Sequence, residues 1–226
     1  MKAMILAAGR GERMRPLTDT TPKPLLQAGG RCLIEYHIGA LVQAGIKQIV
    51  INHAWLGKQI EQTLGDGSHY GAVICYSPEE VGGLETGGGI YQALPLLGDA
   101  PFIVVNGDIW CDYPLGRLRA KVLGHHLAHL ILVGNPEHHP QGDFALQEDG
   151  NLSCNAQPRL TFSGIGLYHP ELFVQCRAGR FPLAPLLREA MDRQRVSGEY
   201  YQGRWFDAGT VQRLRALDAS LKRRGV

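Results

Sequence analysis

Apolar residues along this chain gather in short runs that alternate with stretches of helical, amphipathic spacing. The runs predict strands at Ala3–Ala8, Gln48–Asn52, Val73–Tyr76, Phe102–Asn106 and Leu130–Val133. Between them the spacing predicts helices near Ile34–Ala44, Leu56–Leu64, Gly87–Leu94 and Leu115–Leu123. Alternation of this kind argues for a mostly parallel sheet covered by helices. Several runs are continuously apolar, as strands buried on both faces should be. The predicted fold class is α/β, a Rossmann-like doubly wound and mostly parallel sheet.

After about Asn135 the pattern changes. Phe144–Gln147 and Leu152–Asn155 flank Glu148-Asp149-Gly150-Asn151, and Asp-Gly between strand-like segments predicts a hairpin. Phe162–Tyr168 reads as a further strand interrupted by Gly164 and Gly166; helices follow at Leu183–Arg193 and Val211–Lys222. No Pro/Gly/Ser-rich linker divides the chain, so one domain over 1–226 is expected, with a first half of about 1–134 and a small β-rich second half of about 135–226.

Composition narrows the classes. The 226 residues are 44% hydrophobic and 19% charged, enough to bury a sizeable core. A net charge of +2 argues against a nucleic-acid or anionic-membrane partner. No apolar run reaches the roughly 18 residues that span a bilayer. The apolar start, Met1 to Ala8, stops at the charged Gly9-Arg10-Gly11-Glu12-Arg13 rather than at a small-residue cleavage site. Five cysteines without CxxC spacing point to reduced thiols and a cytoplasmic home.

Candidate chemistry begins where the first strand ends, in Leu6-Ala7-Ala8-Gly9-Arg10-Gly11-Glu12-Arg13-Met14-Arg15-Pro16-Leu17-Thr18. Glycines there let backbone N–H groups approach a phosphate at the crevice above the sheet; a tight turn without a ligand would use the same glycines. The chain has no Gly-Lys-Ser/Thr, which excludes a P-loop, and Met14 replaces the third glycine of a dinucleotide fingerprint, which disfavours a nicotinamide-dependent oxidoreductase. Pro16, Pro22 and Pro24 should keep the following segment extended. Arg10, Arg13, Arg15 and Lys23 suit a triphosphate, or form a solvated basic loop. Asp108 follows the apolar run Phe102–Asn106, which puts its carboxylate at the crevice unless it caps a helix; Asp207 precedes Ala208-Gly209-Thr210, where it would otherwise cap the last helix.

The glycine-rich segment with Thr21-Pro22-Lys23-Pro24-Leu25 resembles the signature of the sugar-1-phosphate nucleotidylyltransferases. Gly82-Gly83-Leu84-Glu85-Thr86-Gly87-Gly88, Val105-Asn106-Gly107-Asp108 and Trp205-Phe206-Asp207-Ala208-Gly209-Thr210 follow in the family's order. The resemblance implies transfer of a nucleotidyl group from a nucleoside triphosphate to a sugar 1-phosphate. It implies that Asp108 and Asp207 hold Mg²⁺, that Arg13 neutralises the leaving phosphates, and that Lys23 sits near the α-phosphate. Ala8, Gly9, Gly11 and Glu12 would contact the nucleotide, and Glu80, Gly83 and Gly88 its base, although an exposed Glu80 would simply be solvated. The sugar would meet Glu85, Asn106 and Asp143 in the second, sugar-binding half.

Many relatives carry Glu-Lys-Pro where this chain has Ala156-Gln157-Pro158, which loses a carboxylate and a lysine. A smaller, uncharged residue suits a sugar with a bulky or anionic substituent. As a whole the chain resembles the short bacterial N-acetylmuramate α-1-phosphate uridylyltransferases of cell-wall recycling. UTP and the sugar 1-phosphate are then the partners, and a monomer or weak homo-oligomer the expected state. A glucose- or mannose-1-phosphate enzyme and a non-catalytic nucleotide-sugar-binding homologue are the alternatives.

The remaining residues read as structural. His125, His126, His129, His138 and His139 lack zinc-site spacing, and His125 and His129 are expected to be exposed. Cys32, Cys75, Cys111, Cys154 and Cys176 should be buried small hydrophobes. Lys222-Arg223-Arg224 suits the C-terminus of a helix.

Overall fold

The computed structural model describes residues 1–223; Arg224 of the basic end lies outside them. In chain order the first half contains β1 (Lys2–Leu6), β2 (Gln27–Ala28), β3 (Arg31–Cys32), α1 (Leu33–Gln43), β4 (Gln48–His53), α2 (Gly57–Leu64), β5 (Val73–Pro78), α3 (Glu85–Leu97), β6 (Phe102–Asn106), β7 (Ile109–Cys111), α4 (Gly116–Ala120) and β8 (Ala128–Val133). Then come β9 (Ala145–Leu146), β10 (Leu152–Ser153), β11 (Thr161–Tyr168), α5 (Ala184–Asp192), β12 (Val196–Tyr200), β13 (Trp205–Asp207) and α6 (Val211–Lys222).

Seven strands form one sheet in the order β12-β8-β11-β6-β1-β4-β5. Only β11 runs against its neighbours, β6 and β8; every other pairing is parallel. Successive residues along each central strand alternate between two cores. Met4, Val50, Phe102 and Val104 face the cluster under α3 and α5. Ile5, Ile49, Ile51, Ile103 and Val105 face the cluster under α1 and α2. Because both faces are covered, the strands read as continuous apolar runs.

The strand order reverses at β1, with β4 on one side and β6 on the other. Loops leaving the carboxyl ends of two such strands diverge and leave a crevice. Leu6 pairs with Asn106, and the Gly107 N–H donates to the Leu6 carbonyl at 2.9 Å. A Cβ at Gly107 would lie 2.5 Å from that oxygen, so glycine is required for the close approach.

Several expectations need correction. Pro16, Pro22 and Pro24 do not keep one extended segment: Glu12–Met14, Leu17–Asp19 and Lys23–Leu25 each form a 3₁₀ turn. The fourth helix is only Gly116–Ala120, because Leu118 is its one buried residue and gives it little apolar face. The β7–β13 ribbon and edge strand β12 were not expected; β12 reads Val-Ser-Gly-Glu-Tyr, too polar for a run. His129 is buried, not exposed: it lies within β8 and bonds Ser197 at 2.8 Å through Nδ1. No cysteine is fully buried, and Cys75 is exposed, because these positions lie at strand edges and loops.

Candidate active site

The segment after β1 folds back on itself. Gly11 has φ 71°, its carbonyl accepts from Met14 N–H and from the Thr18 hydroxyl, both at 2.8 Å, and a Cβ there would meet Thr18 at 2.9 Å. Asn52, at the end of β4, accepts from Ala7 N–H at 2.9 Å and so ties the loop to the sheet. Among the described residues the N–H groups of Gly9, Arg10, Gly11 and Glu12 donate to no intramolecular acceptor. They line a cavity of about 750 Å³ together with Ala8, Arg13 and Lys23.

The four cations of this segment divide. Arg10 stacks on Trp55, 3.7 Å from the ring centroid, and donates to the Thr18 carbonyl. Arg15 pairs with Asp19 at 2.7 Å and lines no part of the cavity. Arg13 is exposed, makes no ion pair among the described residues, and borders both this cavity and a second one of about 390 Å³. Lys23 is buried, and its ammonium donates to Asp108 Oδ2 at 2.7 Å.

Neither acid caps a helix: α4 begins after Leu115, and Thr210 caps α6. Asp108 and Asp207 instead meet across the β7–β13 ribbon, where Asp207 pairs with Ile109 and the Ala208 N–H donates to the Asp108 carbonyl at 2.9 Å. Asp207 accepts from Arg213 at 2.8 Å, and His138 Nε2 lies 3.3 Å away. His37 of α1 is close enough to feel the Asp108 charge; burial holds its imidazole down to about 4, so it is neutral at pH 7.

The second cavity is bordered by Arg13, Asn106 and Asp108 of the first half and by His138, His139, Asp143 and Asp207 of the second. Asp143 is pinned by the Phe162 N–H at 2.8 Å and by His139 at 3.1 Å. Gly164 has φ 84°, and a Cβ there would lie 2.8 Å from Asn106, which fits the irregular register of β11 at this point.

A nucleotidyl transferase family model matches residues 2–151. An N-acetylmuramate alpha-1-phosphate uridylyltransferase from Neisseria meningitidis is 58% identical over 225 residues, covering 97% of each chain. The chain belongs to the nucleotidyl transferase family. A second N-acetylmuramate alpha-1-phosphate uridylyltransferase, from Caulobacter vibrioides, is 34% identical over 97% of this transferase and 96% of its own length. Among solved structures, a chain assigned as a glucose-1-phosphate thymidylyltransferase from Bacillus anthracis superposes with a TM-score of 0.87 at 21% identity, over 98% of this transferase and 95% of that chain. A UDP-glucose pyrophosphorylase complexed with UDP-glucose superposes at 0.78 and 19% identity, over 99% and 100%. At such identities these structures speak for the fold.

The geometry of this nucleotidyl transferase brings Ala8, Gly9, Gly11, Glu12, Arg13, Lys23, Gly83, Glu85, Asn106 and Asp108 to the larger cavity, and Asp143 and Asp207 to the smaller. Glu80 is exposed and borders neither; its neighbour Glu79 does, taking Asn52 Nδ2 at 2.6 Å and the Leu84 N–H at 2.7 Å. Gly88 also borders neither cavity, because its N–H is used by the Phe181 carbonyl at 3.0 Å. Asn52, Trp55, Glu79, Arg180, His138 and His139 were missed. They sit on four separate segments outside the quoted motifs, so no local spacing marks them.

The two acids are a fit for a divalent cation. Among the described residues no cluster of three or more ligating side chains exists, whereas Asp108 and Asp207 open on the same cavity. A hard cation bound through two carboxylates and completed by substrate phosphates needs no fuller cage.

Proposed function

We propose that this nucleotidyl transferase moves UMP from UTP to N-acetylmuramate α-1-phosphate, giving UDP-N-acetylmuramate and pyrophosphate as a step of peptidoglycan recycling. The observation that carries the reading is 58% identity over 97% of both chains to a uridylyltransferase of that specificity. The cavities supply what the chemistry asks. An oxygen of the acceptor phosphate attacks the α-phosphorus, the new P–O bond forms, and the bond to the bridging oxygen breaks with its electron pair leaving on pyrophosphate. A phosphate monoester loses its second proton at about pH 6, so the nucleophile is anionic without a general base. What the protein must overcome is repulsion between two polyanions.

Free N–H groups of the glycine-rich loop and exposed Arg13 are placed to hold the β- and γ-phosphates. Lys23, aimed at Asp108 from a buried stem, is placed for the α-phosphate and the attacking oxygen. Ala8, Glu12 and Gly83 face the nucleotide, with Glu79 in the place expected of Glu80. Asn106, Glu85 and Asp143 face the sugar. The family generally uses a divalent metal, and here Asp108 and Asp207 would hold Mg²⁺, which lowers the charge on the phosphates when bound. Among the described residues no helix is long and apolar enough to cross a membrane.

Pyrophosphate release with Mg²⁺ and UTP, compared across N-acetylmuramate 1-phosphate, N-acetylglucosamine 1-phosphate and glucose 1-phosphate, tests the reading. Preference for the muramic sugar is expected. Preference for glucose 1-phosphate would overturn the acceptor, and no release with any sugar or nucleotide would overturn catalysis itself.

A further inference from the structure

A wall of the larger cavity is built where the start of α3 meets the segment 179–181 of the second half. Phe181 N–H donates to the Leu84 carbonyl at 3.1 Å, and Gly88 N–H donates to the Phe181 carbonyl at 3.0 Å. A Cβ at Gly87 would lie 2.6 Å from the Phe181 ring, and one at Gly88 2.3 Å from the Gly179 carbonyl. The paired glycines therefore serve this close approach. Its result is that Arg180 projects to the cavity from a backbone anchored by two main-chain bonds.

Glu85 completes the wall. It holds φ 59°, a left-handed conformation that strains a non-glycine residue. Its carboxylate accepts from Arg180 Nε at 3.1 Å. The two side chains are 41% and 64% exposed, and a pair so open to water contributes little to stability. Strain is thus retained at a residue whose one polar contact does little for the fold, and that contact orients a guanidinium at the cavity edge.

The cations bordering this cavity are Arg10, Arg13, Lys23 and Arg180. Arg10 is held against Trp55, Lys23 against Asp108, and Arg13 is shared with the second cavity. The terminal nitrogens of Arg180 donate to nothing among the described residues. Its Nε is turned toward Glu85, which leaves the Nη1/Nη2 edge for a planar, bidentate anion.

We propose that Arg180, held in place by Glu85, recognises the carboxylate of the acceptor sugar. The inference rests on the reading above, in which the acceptor carries a lactyl carboxylate that N-acetylglucosamine 1-phosphate lacks. Arg180 is then a specificity-determining residue; Glu85, which also borders the sugar side of the cavity, is its positioning residue, and neither takes part in the phosphoryl transfer.

Calorimetric titration of the full chain with UDP-N-acetylmuramate and with UDP-N-acetylglucosamine separates the possibilities, since the two nucleotides differ only in the lactyl group. The wild type is expected to prefer the muramic nucleotide. Arg180→Ala should shrink that preference by about 10- to 100-fold, the range of a charge-assisted hydrogen-bonded pair. Arg180→Lys should restore part of it, and Glu85→Ala should lose part of it. Binding of UDP-N-acetylglucosamine reports that each variant has a folded site. A preference that survives in Arg180→Ala overturns the proposal and leaves the functional reading standing. An equal fall for both nucleotides also overturns it, because the wall would then be general. A wild type with no preference overturns both.

Discussion

The Lys23–Asp108 pair gives a stability prediction with an asymmetry that follows from exposure. The two side chains are 9% and 40% exposed and their charged atoms lie 2.7 Å apart. Removing one partner of a fully buried pair costs about 3–5 kcal/mol, because the other charge is left without a counter-ion. In Asp108→Ala the stranded group is the buried ammonium, which water reaches only from the vacated end. Discounting for that access leaves an expected loss of about 1–3 kcal/mol. At about 2–4 °C per kcal/mol for a chain of this size, melting should fall by about 2–12 °C. Lys23→Met does the reverse. The apolar stem keeps its volume, the buried charge disappears, and the stranded carboxylate already faces water, so the change should stay within about 1 kcal/mol. The double variant should resemble Lys23→Met alone, so the coupling in the cycle should match the Asp108→Ala loss, about 1–3 kcal/mol. Urea unfolding of the four proteins, with pyrophosphate release measured in parallel, provides the comparison. Both single variants should lose most activity. A Lys23→Met protein as destabilised as Asp108→Ala, or an Asp108→Ala protein as stable as wild type, would refute the reasoning.

Three further outcomes are expected. Arg13→Ala should lower pyrophosphate release by about 10²–10³-fold, the effect of one preorganised donor, while changing urea stability by no more than about 0.5 kcal/mol at its exposed position; a large stability loss would show a structural role instead. Gly88→Ala should cost about 1–3 kcal/mol, since its methyl would press on the Gly179 carbonyl and Leu84, and thermal melting at wild-type values would show that the 179–181 segment yields freely. Burial, and secondarily the charge of Lys121, lowers the His129 imidazole from 6.5 to about 4. The neutral form therefore favours the fold: this contribution is complete above about pH 6.5, declines as pH falls, and is lost near pH 4, amounting to about 1–3 kcal/mol. His129→Gln, compared with wild type by urea unfolding at pH 7.5 and pH 5, should flatten the dependence, and an unchanged slope would count against it.

The parts of the site legible in the sequence are those that one segment makes by itself. The loop after β1 needs glycine at position 11 because φ is positive and Thr18 packs against it, so the requirement is written locally. Asp108 could be placed at the crevice because it follows a strand whose continuous apolar run announces burial on both faces. The same logic fails for β12, an edge strand with a polar sequence, and for the three-residue strands of the β7–β13 ribbon, which are too short for a period to show. It also expects Glu80 and Gly88 beside the nucleotide, and in the fold neither lines either cavity. Adjacent residues in a loop look alike as a sequence, and only the hydrogen bonds of Glu79 to Asn52 and Leu84 show which of the neighbouring glutamates turns inward.

By itself, then, the order of residues determined the alternating α/β architecture, the phosphate-shaped loop and the two acids, since each depends on local backbone geometry or on burial along one segment. Tertiary structure decided which cations are available. Pairing of β1 with β6 brings Lys23 to Asp108, and pairing of β7 with β13 brings Asp207 beside them. Packing of the 179–181 segment on Gly87 and Gly88 adds Arg180. Arg10 and Arg15 looked equivalent to Arg13 in the sequence, yet Trp55 and Asp19 occupy them in the fold. A side chain's charge can be read from its identity, but whether that charge is already spent depends on neighbours that only folding supplies.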